Sequence, residues 1–491
     1  MIHYRNNLNI KSCNTESIIR LSTLIMVFLL FSCQQKKTEG NKKPNIILIM
    51  CDDLGWGDTG FNGNEIIKTP NLDMLAAKGI TFSRFYSASA VCSPTRASCL
   101  TGRNPYRLGI PGANSGRLKE QEITLPELLK QKGYTTGHFG KWHLGTLTTK
   151  VKDANRGKPG DSAHYSIPSM HGYDEYFVTE SKVPTYDPML KPAVFDEEKG
   201  ESLRYGWKAM TDKSEARNYG TYYWKGEEKS AIENLDGDDA RVIIDRAIPF
   251  IEKSVLDKNP FFSVVWFHTP HLPVVATDEM MADYSEYSFK EQIYYATITG
   301  MDKQIGRLWK KLVELGEAEN TMLWFCSDNG PERDTPGTAG IYRERKRSLY
   351  EGGVRVPAFC VYPNGIEAGQ KTAFPCFTSD YLPTIVDILR LDFPDDRPID
   401  GVSLTSVLNG KENVREKPMG FQYGGKISWV TQEYKLISTD KGETFELYNL
   451  LNDPGELKNS IAENPELAEE MKADLLAWVE SCKQSKNGND Y

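Results

Sequence analysis

Cysteine is sparse in this 491-residue chain: nine residues, Cys13, Cys33, Cys51, Cys92, Cys99, Cys326, Cys360, Cys376 and Cys482. An odd, scattered set without paired spacing excludes a disulfide scaffold and a zinc ribbon. No long Lys/Arg run interrupts the 59 basic and 67 acidic residues, net −8, so no nucleic-acid partner is expected. Forty Gly and 26 Pro follow no period, which excludes collagen and a simple repeat array. What remains is 39% apolar and 26% charged, enough to bury a large core in more than one ordinary domain. One large and one small domain are expected.

The amino terminus carries Arg5, Lys11 and Arg20, then the apolar run Leu21 to Phe31, then Ser32-Cys33. The run is too short to be a permanent membrane span, and a small residue before a Cys matches a lipoprotein processing site. Residues 1–33 are therefore read as a lipoprotein-type bacterial secretion signal, with an uncleaved anchor or plain signal peptide as the alternative. Residues 34–43 are polar and act as a tether. The expected location is the cell envelope, periplasmic or anchored to the outer membrane, with membrane contact only through the lipid on Cys33.

The fold is expected to start at Pro44. Asn45 to Met50 is a continuous apolar run, as are Phe261 to Phe267 and Thr321 to Cys326, and each leads into polar residues. Such runs predict strands buried on both faces. Helical patterns at Leu125 to Lys132 and Tyr294 to Leu315 alternate with them, which predicts an α/β sheet covered by helices on both faces. Residues 44–411 form the expected catalytic domain, in which 146–239 is a long excursion walling the pocket with aromatics such as Tyr205, Trp207, Tyr222, Tyr223 and Trp224. Residues 412–491 are read as a small α+β subdomain: short strands at Ile427 to Thr431, Tyr434 to Ser438 and Phe445 to Asn449, then a helix opening at Asn464-Pro465.

Chemistry concentrates in a few segments. In Cys92-Ser93-Pro94-Thr95-Arg96, Ser93-Pro94 opens a helix and puts Cys92 where backbone N–H groups favour an anion or a thiolate. Spacing alone does not separate a thiol nucleophile from a modified residue. Arg96, one turn on, faces back toward Cys92. Asp52-Asp53 and Asp328-Asn329 each follow a strand, and together offer the oxygen donors that a hard cation wants. Lys141 and His143 share one side if their segment is extended. Phe267 to Pro273 holds two histidines, His268 and His271, and Lys346 precedes a Glu351-Gly352-Gly353 turn.

Cys-x-Pro-x-Arg with the extension Thr101-Gly102-Arg103 resembles the signature of the formylglycine-dependent sulfatases of the alkaline phosphatase superfamily. The likeness runs from Pro44 nearly to the end of the chain. It implies a large, mixed, mostly parallel sheet between helices plus a short C-terminal antiparallel sheet. It also implies that a maturation enzyme converts Cys92 to formylglycine, and that Asp52, Asp53, Asp328, Asn329 and the residue-92 oxygen hold one calcium ion. Lys141, His271 and Lys346 would then bind the sulfate, His271 would protonate the leaving alcohol, and His143 or Asp328 would help release the product. Arg96 would hold the modified side chain, with Arg347 an alternative to Lys346 only if its loop is shifted. By the family mechanism a hydrated formylglycine attacks sulfur, and the envelope targeting together with aromatics of 146–239 that could stack on sugar rings makes a sulfated carbohydrate the expected substrate. The alternatives are a formylglycine-dependent phosphodiesterase or phosphonate hydrolase, and an inactive glycan-binding protein. A two-zinc phosphatase is disfavoured by only seven His in the chain.

Overall fold

Both faces of the central strands are apolar because both are covered. A computed structural model describes residues 42–411 and 414–491, so the expected signal segment, most of the tether and the start of the expected 412–491 subdomain lie outside the described residues. The main sheet contains β1 (Asn45–Cys51), β2 (Ile80–Phe82), β3 (Thr135–Lys141), β4 (Glu175–Thr179), β5 (Tyr223–Trp224), β6 (Phe261–Trp266), β7 (Thr321–Ser327), β8 (Ala358–Val361) and β9 (Gln370–Thr372). Its order is β9-β2-β8-β7-β1-β6-β3-β4-β5. The five central strands, β7 to β4 in that order, are all parallel, and antiparallel pairs occur only toward the edges.

Alternation along each central strand feeds two cores. The helices that matter are α1 (Pro70–Ala77), α2 (Cys92–Thr101), α3 (Leu125–Lys130), α4 (Asp239–Leu256), α5 (Phe289–Glu314), α6 (Tyr381–Leu389) and α7 (Pro465–Lys486). Ile47 and Ile49 of β1 pack with residues of α1, α4 and α5, whereas Ile46, Leu48 and Met50 pack with α2, α3 and α6. α5 begins five residues before the expected Tyr294, because Ser288 and Glu291 cap each other's backbone in a capping box that the apolar period does not reveal. α3 stops at Lys130, ahead of Gly133 at φ 81°. Among the described residues no helix is long and apolar enough to cross a membrane.

At the C-terminal end, β10 (Met419–Tyr423), β11 (Lys426–Val430), β12 (Tyr434–Ser438) and β13 (Glu446–Asn449) form an antiparallel sheet in sequential order. One face, with Trp429, Leu436 and Leu447, is covered by Met471 and Leu475 of α7. The other, with Phe421, Val430 and Ile437, packs on Tyr86, Leu349 and Phe377 of the larger body. Residues 43–491 accordingly form one compact unit.

Segment 146–239 corrects one expectation. Tyr205, Trp207, Tyr223 and Trp224 are buried packing residues and do not face a ligand site. Tyr223 stacks on Phe177 at 4.1 Å between ring centroids, and the Trp224 indole N–H donates to Asp153 at 2.8 Å.

Gly140 in β3 sits at φ 104°, and a Cβ there would lie 1.9 Å from the Trp266 carbonyl oxygen of β6. Strand β3 thus needs glycine next to Lys141 in order to lie against β6. Gly140→Ala is expected to lower stability by about 1–3 kcal/mol, read as the urea midpoint. An unchanged midpoint would contradict the clash.

Candidate active site

Parallel strands of one sheet end on the same edge, so whatever follows each of them is delivered to one place. β1 delivers Asp52 and Asp53, β7 delivers Asp328 and Asn329, β6 the turn with His271, and β3 Lys141 and His143. α2 starts at Cys92 and carries Arg96, and the loop before Glu351 adds Lys346. The structure brings all ten expected residues together.

Their contacts interlock. Lys141 Nζ donates to Asp52 Oδ2 at 2.5 Å, and Lys346 Nζ to both oxygens of Asp53 at 2.6 and 2.7 Å. Arg96 donates twice to Asp328 Oδ2, from Nη2 at 2.7 Å and Nε at 3.1 Å, and lies 3.8 Å from Asp52. Its guanidinium therefore positions a carboxylate at the bottom of the site as well as lying behind Cys92. Asn329 Nδ2 donates to Asp53 Oδ1 at 2.7 Å. His271 Nδ1 is 2.6 Å from the Leu272 carbonyl, which makes Nδ1 the donor and leaves Nε2 toward Asp53, 3.7 Å away. His268 is a separate case: wholly buried, it bridges Asp239 at 2.7 Å and Thr179 at 2.7 Å and does not line the cleft.

Lys141 and His143 do not share an extended strand. His143 adopts φ 57°, so a turn after β3 swings its ring to the cleft, where Nε2 meets Asn114 Oδ1 at 2.9 Å. A second difference concerns Cys92. Its thiol is only 2% exposed, and burial raises it above the ordinary thiol range despite nearby Lys141. Burial thus opposes the thiolate that the helix N-terminus would favour.

Burial pushes the Asp52 carboxyl up, but Lys141 above all, then His271 and Arg96, hold it well below the usual carboxylate range. For Asp328, burial and the adjacent negative charge of Asp52 act together and raise it to about 7. Burial lowers His271 to about 4 against the pull of Asp52 and Asp53, and burial with Lys141 holds His143 well below its usual range.

Two buried oxygens, Asp52 Oδ1 and Asn329 Oδ1, have no hydrogen-bond partner. Leaving acceptors buried and unmet is costly, and a cation between them would satisfy both. Donor atoms of Asp52, Cys92 and Asp328 lie within 4.8 Å of one another, as do those of Asp52, Asp53 and His271. The donor set of three carboxylates and an amide oxygen fits a hard divalent ion.

A cleft of about 480 Å³ opens over Cys92, His143, His271 and Lys346. Its rim comes from Asn114, Asn155, Ser181, Lys182 and Tyr423, which no motif marks in the sequence, and from Arg347, which pairs with Glu332 and leaves the contact with Asp53 to Lys346. Asn155, Ser181 and Lys182 belong to the 146–239 excursion, which does wall the cleft, though with polar and charged side chains instead of aromatics.

The family profile described as Sulfatase matches residues 44–391, and one described as N-sulphoglucosamine sulphohydrolase, C-terminal, matches 337–483. The chain belongs to the sulfatase family. It is a sulfuric ester hydrolase with the mixed, mostly parallel sheet of the alkaline phosphatase superfamily. N-acetylgalactosamine-6-sulfatase of Mus musculus is 31% identical over 407 residues, covering 79% of this chain and 70% of that protein. The crystal structure of Ps i-CgsB in complex with k-i-k-neocarrahexaose is similar with a TM-score of 0.75 and 27% identity, covering 90% of this chain and 94% of that one. A phosphonate monoester hydrolase of Agrobacterium radiobacter, 19% identical with a TM-score of 0.61, covers 91% and 96% and shares the fold.

If the unmet oxygens form a cation site, this sulfatase should unfold several degrees lower after chelation than with a saturating divalent ion, because an ion bound only by the native state stabilises it. Asn329→Leu should abolish that difference. Equal unfolding temperatures for the native sequence with and without chelator would refute the site.

Proposed function

We propose that the enzyme removes sulfate from a sulfated carbohydrate, with formylglycine formed from Cys92 and one calcium ion held by Asp52, Asp53, Asp328, Asn329 and the residue-92 oxygen. The observation that carries this is the gathering of Arg96, Lys141, Lys346 and His271 around Cys92 beside two unmet carboxylate and amide oxygens. The carbohydrate class is supported by similar proteins, one named for an N-acetylgalactosamine sulfate and one crystallised with k-i-k-neocarrahexaose.

Loss of sulfate from an ester places negative charge on the sulfuryl oxygens and on the departing alkoxide, so preorganised cations and a proton donor are what the site must offer. Formylglycine supplies, as its hydrate, one hydroxyl to attack sulfur and a second whose deprotonation frees the product. Calcium, when bound, supplies Lewis acidity toward the sulfate oxygens. Lys141 and Lys346 place two further positive charges at the cleft floor. Arg96 fixes Asp328, and α2 fixes residue 92. His271, held at Nδ1 by the Leu272 carbonyl, presents Nε2 toward the leaving alcohol, and gives it a proton in the imidazolium form that the negative charge of a bound sulfate would favour. His143, oriented by Asn114, and Asp328 are the two bases available for the second hydroxyl.

Cys92 is buried in the folded chain, so a maturation enzyme has to reach it before folding is complete. An envelope location with Cys33 as lipid anchor is the proposed setting. After expression with a competent maturation system, mass spectrometry of the tryptic peptide Phe85 to Arg96 should show the aldehyde form; an unmodified thiol in active protein would overturn the nucleophile. Cys92→Ala should abolish turnover while leaving the fold intact by circular dichroism, and His271→Ala should lower kcat by about 10²–10⁴. Parallel assays should show sulfated glycans hydrolysed in preference to phosphate diesters and phosphonate monoesters, and the reverse preference would replace the substrate class.

A further inference from the structure

Behind one wall of the reaction cleft lies a second cavity of about 480 Å³, a volume typical of small-ligand sites. Asn155, Ser181 and Lys182 line both spaces, so the two are immediate neighbours that share these side chains. Lys191 and Arg204 complete the cationic lining of the second cavity, and Leu203 and the half-buried Tyr219 give it an apolar side. No carboxylate lines it among the described residues. That is unexpected in a chain with 67 acidic and 59 basic residues.

Two of the three cations are also uncommitted. Lys182 and Lys191 hold no ion pair among the described residues. Burial, followed by the like charges of Lys141 and Lys346, lowers Lys182 against the weaker pull of Asp53 and Asp52. The nearby Glu180 is already engaged by Arg156 at 2.7 Å. Arg204 pairs with Asp334, but both are largely exposed, and a surface pair of that kind is easily exchanged for another anion.

We propose that this cavity is a subsite for a second oxyanion on the substrate, borne by the sugar next to the one that loses its sulfate. The preferred substrate is then an oligosaccharide with sulfate or carboxylate on adjacent residues, and the Tyr219 and Leu203 side accommodates the sugar ring. The subsite rests on the sulfated-carbohydrate function proposed above and adds the demand for a second charge. Sulfate and carboxylate share the chemistry that Lys182, Lys191 and Arg204 recognise.

The test uses the full matured chain and the double variant Lys191→Gln/Arg204→Gln, since neither residue touches the reaction cleft. The probes are tetrasaccharides from carrageenan, which bring only sulfate, tetrasaccharides from chondroitin sulfate, which bring carboxylate as well, and 4-methylumbelliferyl sulfate and monosaccharide sulfates as single-charge controls. KM for the preferred tetrasaccharide should rise about tenfold in the variant with kcat unchanged, while turnover of the single-charge control stays as in the native sequence. Which tetrasaccharide responds identifies the second anion. An unchanged tetrasaccharide KM, an equal loss on control and tetrasaccharide, or turnover of controls alone would overturn the subsite and leave the sulfatase function standing. Failure of the native sequence on every sulfate ester would instead overturn the function itself.

Discussion

Cancellation of buried charge is the constraint on which the site depends. Asp52, Asp53 and Asp328 face Arg96, Lys141 and Lys346, and all six are almost fully inaccessible to water. An ion moved out of water costs several kcal/mol unless a partner is in place, and removing one member of a buried pair typically costs about 3–5 kcal/mol. Each of these residues is therefore required by another that is distant in the chain: Lys141 by Asp52, Lys346 by Asp53, Arg96 by Asp328. Three negative and three positive side chains balance. A divalent cation in the proposed metal site would leave a surplus of positive charge, and an anionic ester would offset it. Cation and ester then favour each other's binding, as linked ligands must.

The small C-terminal sheet takes part in this arrangement from outside. Its inner face braces the segment that carries Lys346. Glu351, just past that lysine, is buried and held by Lys435 of β12 at 3.1 Å, by Arg355 at 3.1 Å and by the Tyr86 hydroxyl at 2.9 Å. The backbone N–H of Glu351 donates to Glu456 at 2.6 Å, and Lys426 of β11 donates to the Arg347 carbonyl at 2.8 Å. Tyr423, at the end of β10, reaches the cleft rim. The C-terminal subdomain is thus a clamp on one of the cations, which accounts for its packing two separate cores, one on each face of a four-stranded sheet.

The parts legible in the sequence are those with a strong local pattern. Asn45 to Met50 and Thr321 to Cys326 read as doubly buried strands because both faces meet helices, and they are neighbours in the sheet, with Ile46 beside Met322. Tyr434 to Ser438 was readable to the residue, and Ser93-Pro94 announced α2. Edge strands of two or three residues, such as Ile80–Phe82 and Tyr223–Trp224, are too short to show a period, and their pairing is set by what lies across the sheet. The fate of Trp207 and Tyr223 was equally hidden, since an aromatic in an irregular segment looks the same whether it faces a ligand or closes a core. The left-handed conformation of His143 has no local signal either. Lys182, Asn155 and Ser181 reach the cleft only through the path of a long excursion, and nothing in their neighbours announces it.

Chemistry and selectivity are therefore built on different kinds of chain. The groups around Cys92 stand at strand and helix ends, where a rigid sheet holds them to the sub-ångström tolerance that such a site needs. Of the cations of the second cavity, Lys182 and Arg204 stand on irregular segments and Lys191 on a two-residue strand away from the main sheet, where substitution is tolerated by the fold. For a molecule of net charge −8, long-range attraction cannot gather an anionic polymer, so the positive potential has to be local and close to the reacting ester. In the proposed subsite, Lys182, Lys191 and Arg204 would extend the positive charge of Lys346 beyond the reaction cleft and so meet that need.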